Sequence, residues 1–171
     1  MQSPHSKLGL GFVYTVEAFD AAGNHLGTDT VHNLVPDEGV NAFLDILFNA
    51  ATQQSWFIGI YGNNYAPLAS NTAANFPALA GELTVYESAT RPVFDPGAAA
   101  GGVVTNALAK AEFVMTSDAT VRGGFISSSS VKGGTTGILA SAVLFPTARQ
   151  PGVGGTLRVT AGFQVSPIPD A

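Results

Sequence analysis

The chain has 171 residues, no cysteine, a formal net charge of −5 and only 11% charged side chains. The length suits a single domain over residues 1–171 with a sizeable core, and the lack of cysteine excludes disulfides and thiolate metal sites. Glycine, alanine, serine and threonine supply 72 residues, so the polar surface is built from hydroxyls, amides and backbone. It lacks the charge that keeps a free monomer apart from its neighbours.

The basic residues Lys7, Arg91, Lys110, Arg122, Lys132, Arg149 and Arg158 are scattered. No stripe forms that would neutralise a run of phosphates, which disfavours direct nucleic-acid binding. The opening MQSPHSKLG has no apolar h-region, so no secretory signal is expected. The longest apolar runs, such as ILASAVLF, are too short to span a bilayer.

In chain order, LGLGFVYTVEAF alternates as a strand, with Leu8, Leu10, Phe12, Tyr14, Val16 and Ala18 on one face and Thr15 and Glu17 on the other. Asp20–Asn24 reads as a hairpin turn. HLGTDTVHNLV returns with Leu26, Thr28, Thr30, His32 and Leu34 on one face, and Pro36 ends it. A helix is predicted over 37–49: Asp37 is placed as N-cap and Glu38 in the first turn, where the helix dipole favours negative charge. Val40, Phe43, Leu44, Leu47 and Phe48 make one apolar stripe at helical spacing, predicted to dock the helix on the core.

SWFIGIYG follows as a strand rich in aromatic and β-branched residues. Residues 62–81, GNNYAPLASNTAANFPALAG, hold two prolines and four asparagines and read as a long loop. Tyr65, Leu68, Phe76 and Leu79 give that loop spaced apolar anchors. With Trp56 they are the candidate interface residues; the alternative is a loop folded back over its own core.

ELTVYE and RPVF read as strands broken at Ser88–Thr90, and DPGAAAGG as a flexible connection. Residues 106–116 alternate, with Ala107, Ala109, Ala111, Phe113 and Met115 inward. Residues 119–127 form another strand, in which Gly123–Gly124 mark a bulge or a close approach. Ile138–Phe145 and Thr156–Val165 complete a set of eight or nine strands. This is a mainly β chain, an antiparallel sandwich of jelly-roll or immunoglobulin-like type with one amphipathic helix.

Nothing in the sequence assembles a catalytic set, so no enzyme activity and no cofactor is expected. His25 and His32 stand about 23 Å apart along an extended strand, too far to share a metal; His5 is the third histidine. No G-x-S-x-G elbow occurs, and the paired glycines at 101–102, 133–134 and 154–155 lack a following Lys-Ser/Thr and helix. Glu82 and Glu87 are expected on opposite faces, which does not suit a glycosidase pair. Calcium at Asp20–Asn24 or Asp95 is a weaker alternative to simple Asx turns. The aromatics Trp56, Phe57, Tyr61, Tyr65 and Phe76 read as core and protein-interface residues ahead of a sugar platform.

The segments HNLV…GVNAFLDILF, WFIGIYGNNYAP, YESATRPVF and GGTTGILASAVLF, in that order between Tyr14 and Val165, resemble small structural proteins of tailed bacteriophages. The opening MQSPHSKLG and the closing PIPDA lie outside the resemblance. It implies a virion structural protein, made in the host cytoplasm and located in the particle. The leading expectation is a head-decoration or cement protein that binds the capsid protein and copies of itself as a homo-oligomer. A tail, collar or fibre-attachment component is the alternative, and a carbohydrate-binding β-domain a remote one.

Overall fold

The computed structural model describes residues 7–168. The strands and helices, in order, are β1 (Lys7–Phe19), β2 (His25–His32), α1 (Asp37–Phe48), β3 (Phe57–Tyr61), α2 (Phe76–Ala80), β4 (Glu82–Leu83), β5 (Val103–Thr105), β6 (Ala111–Val114), β7 (Val121–Ser127), β8 (Leu139–Arg149) and β9 (Thr156–Ile168). They form an antiparallel β-sandwich. One sheet runs β2-β1-β9, with β5 and β6 both paired to the far side of β9; the other runs β4-β3-β7-β8.

The alternation in β1 sets the first inner face: Phe12, Tyr14, Val16 and Ala18 are buried, while Thr15 and Glu17 face out. Leu157, Val159 and Ala161 of β9 and Ala111 and Phe113 of β6 extend this face. Ile58, Ile60, Ala140, Val143 and Phe145 oppose it from the second sheet. The Asp20–Asn24 turn forms as expected, with Asp20 Oδ1 accepting from the amides of Ala22 and Asn24 and Gly23 at φ 82°. In β2 the Leu26/Thr28/Thr30/His32 face is the exposed one; Gly27, Asp29 and Val31 are the half-buried set.

The second sheet is buried on both faces. That explains why SWFIGIYG reads as a continuous apolar run rather than an alternating one. The helix α1 packs on β8, the edge strand, and sends Phe43 to the cluster between the sheets, while the outer face of this sheet is covered by the 62–81 segment. That segment is not a free arm. It folds into α2 and inserts Phe76, fully buried, among Tyr61, Phe125, Ala73, Ala80, Leu139 and Ala142. Phe76 stands edge-on to Tyr61 and Phe125, with centroids 5.5 and 5.4 Å away. Gly123 is a close-approach site, since a Cβ there would lie 2.1 Å from the Tyr61 ring; the β7–β8 register also slips beside it.

Two predicted strands shrink. ELTVYE and RPVF keep only Glu82–Leu83 and single bridges, Tyr86 to Met115 and Val93 to Phe57. The chain there crosses from one sheet to the other and cannot pair along its length with either. The strand predicted over 106–116 starts only at Ala111, because Asn106 turns its side chain into β9. Its Oδ1 accepts from the Ala161 amide at 2.7 Å, and its Nδ2 donates to the Val159 carbonyl at 3.2 Å. This one buried amide fills the gap between β5, paired to 162–164, and β6, paired to 156–159. Ala107 and Ala109 are therefore exposed rather than inward.

Candidate functional site

The helix α1 is seated by its small and polar residues. Gly39 is buried against β8: a Cβ would lie 2.7 Å from the Ala140 carbonyl oxygen and 2.9 Å from that of Leu139. One turn face away, Glu38 Oε2 accepts from the amides of Leu139 at 2.6 Å and Ala73 at 2.8 Å. This carboxylate ties α1 to β8 and to the 62–81 segment together, with the added strength of a charged acceptor. Asp37 is not the N-cap. Pro36 holds that position without a side-chain cap, and the Asp37 amide donates to Ala69 O.

These anchors fix the roll of the helix. Phe43 points to the sandwich, 5.3 Å from Phe163, 6.0 Å from Trp56 and 6.4 Å from Phe12 between centroids. Of the rest of the predicted stripe, Val40 is half-buried, and Leu44, Leu47 and Phe48 turn away at 50%, 71% and 82% exposed. The expectation that the whole stripe docks inward is thus corrected. Gly39 and Phe43, four residues apart, take the line that meets the sandwich, and the line of Leu44 and Phe48 is turned outward. What results is an apolar ridge of three large side chains on a rigid base, in a chain with little charge to keep partners away.

The candidate interface residues separate. Phe76 belongs wholly to the protein's own core, and Tyr65 is half-buried beside it, its hydroxyl paired with Asn71 at 2.9 Å. Trp56 is half-buried against Phe43. Only Leu68 and Leu79 are exposed, so the 62–81 segment as a whole is a lid on its own sheet. Of the aromatics read together from sequence, Tyr61 and Phe76 are buried, and Trp56, Phe57 and Tyr65 are half-buried.

The structure also reveals a polar knot that pattern reading missed. Arg91, read from sequence as one of the scattered basic residues, is buried. It grips Glu82 with two prongs, Nε to Oε1 at 2.8 Å and Nη2 to Oε2 at 2.7 Å. It also donates to the carbonyls of Ser129 and Gly134 and stacks on Phe125. Lys132 donates to the carbonyls of Thr84 and Tyr86, and its ammonium lies 3.8 Å from the Tyr86 ring centre. Desolvation there holds the Lys132 amine below its usual value. The segments 82–91 and 129–134 hold Glu82, Glu87, Arg91 and Lys132, and spacing alone does not say which of these charges pair or that one pair is buried.

No other chemistry-bearing group converges. Among the described residues no three His, Cys, Asp or Glu side chains sit together as a metal site, and His5 lies outside them. His25 Nε2 is 2.8 Å from the Thr28 hydroxyl, and His32 is exposed. Asp20 spends both carboxylate oxygens on its turn, and its hydrogen bonds from Asn24 hold its pKa below the usual range. No helix among the described residues is long and apolar enough to cross a membrane. Comparison with family models, curated proteins and solved structures finds no match for the chain.

Proposed function

We propose that this protein is a structural, non-enzymatic component of a tailed-bacteriophage particle. In this reading it decorates or cements the head shell as a homo-oligomer, docking through the outer face of α1. The observation that carries the docking assignment is the ridge Leu44/Leu47/Phe48, exposed on a helix that Gly39 and Glu38 hold in one orientation. Burying such side chains releases about 25 cal/mol per Å² before association costs. Many symmetric copies then add by avidity. The resemblance of the four quoted segments supplies the setting, and the sparse charge supports it.

The test is a cryo-EM reconstruction of the particle with copy number. Hundreds of copies at lattice-like positions, with α1 against the shell, support the reading. Six or twelve copies around the portal axis would favour a tail or collar role instead. Absence from the purified particle would overturn both.

A further inference from the structure

We infer that the open edge of β1 pairs with the same edge of a second copy, forming a two-fold dimer through the backbone of Leu8 and Leu10. This deepens the self-association part of the reading above and uses the backbone edge of β1 rather than the side chains of α1, so either can fail alone.

The strand β2 leaves β1 after the Val13–His32 pair and crosses to β8, where Leu34 bridges Ala142. The β1–β9 pairing nevertheless continues to Lys7–Ile168. From Phe12 down to Lys7, β1 has β9 on one side and, among the described residues, no strand on the other. Asn33 fixes which peptide groups face that vacant side. Its amide donates to Phe12 O at 3.0 Å, and the Phe12 amide donates to its Oδ1 at 2.6 Å. Peptide groups alternate along a strand, so those of Leu10 and Leu8 face the same way. Those of Gly9 and Gly11 face β9. The position of Pro167 opposite Leu8 agrees, since no donor is needed from β9 at that rung.

Among the described residues, two N–H and two C=O groups therefore lie open along this edge. Natural sheets blunt such edges with charge, proline or bulges. Here the edge residues 8–13, LGLGFV, carry no charge, proline or bulge; Lys7 stands at the end of the edge, and Pro167 lies opposite Leu8 on β9, away from the open side. Leu10 and its cross-strand neighbour Val165 are also exposed, at 46% and 39%.

A second copy suits this edge better than an arbitrary strand, because the edge is self-complementary under a two-fold axis. With Leu8 opposite the partner's Leu10, all four open groups on each copy are paired. The axis then passes between Gly9 and the partner's Gly9, at a non-hydrogen-bonded position where Cα atoms approach to about 4.5 Å.

The test is sedimentation equilibrium of the full chain with hydrogen exchange at the Leu10 amide. The wild type should dimerise reversibly, with Leu10 protected only at dimer concentrations. Leu10→Pro removes a donor that the monomer does not spend, so it should keep the wild-type melting curve and become monomeric. Should proline perturb the strand, Leu10→Lys places like charges across the axis and should weaken the dimer roughly tenfold or more. A wild type that stays monomeric at about 100 µM, or Leu10 variants that dimerise as well as wild type, would overturn the inference. So would a dimer lost in Leu47→Glu/Phe48→Glu but kept in both Leu10 variants, since that places self-association on α1.

Discussion

Gly39 and Ala140 are in backbone contact: α1 lies so close to β8 that a single added methyl at 39 would stand 2.7 Å from the Ala140 carbonyl oxygen. The obstacle is main chain on both sides, so no side-chain rotation relieves it. Gly39→Ala, which in an exposed helix would stabilise, should here cost about 1–3 kcal/mol in urea unfolding. A neutral or stabilising effect would show that α1 lifts easily and that its roll is not fixed.

The 62–81 segment should behave as core. Phe76→Ala should cost about 3–5 kcal/mol. Replacing the segment with a short Gly-Ser turn should expose Tyr61 and Phe125 and lower the melting temperature sharply. An unchanged melting temperature after that replacement would restore the segment as a free docking arm.

The Arg91–Glu82 pair, 1% and 2% exposed, should show strong non-additivity. Glu82→Gln leaves a buried guanidinium without its counter-charge and should cost about 3–5 kcal/mol. The double change Arg91→Met/Glu82→Leu should cost less than the sum of the single changes, because neither charge is stranded. A double-mutant cycle with additive losses would contradict this.

Burial raises the phenols of Tyr14, Tyr61 and Tyr86 above their ordinary value. In the unfolded chain they ionise near pH ~10, while in the native state they stay neutral, so the native state holds more protons above that pH. Stability is therefore full below pH ~10 and falls as pH rises beyond it. Absorbance titration should show these three tyrosines ionising in one cooperative step together with unfolding. Gradual ionisation with native circular dichroism retained would show that they are not buried.

The sandwich was legible in the sequence because β1 and β9 alternate cleanly and the second sheet carries continuous apolar runs, two patterns with different burial. The helix was legible in its bounds but not in its roll. Its apolar stripe pointed one way, and Gly39, which has no side chain to register in a periodicity, decided the other. Asn106 and Arg91 were opaque for a related reason. Each satisfies groups more than thirty residues away, the β9 backbone in one case and the Ser129 and Gly134 carbonyls in the other. Local pattern contains no trace of those partners. The loop reading turned on Phe76, whose spacing is the same whether it anchors a neighbour or its own sheet.

The most direct test of the docking role of α1 is the variant Leu47→Glu/Phe48→Glu, compared with wild type for stability and for co-sedimentation with undecorated head shells. Both side chains are mostly exposed, so unfolding free energy should change by no more than about 0.5 kcal/mol, while retention on shells should be lost. Wild-type binding should survive a molar-salt wash and yield to a mild chaotrope, because apolar burial rather than ion pairing holds it. Full retention of the folded double variant on shells would contradict the account.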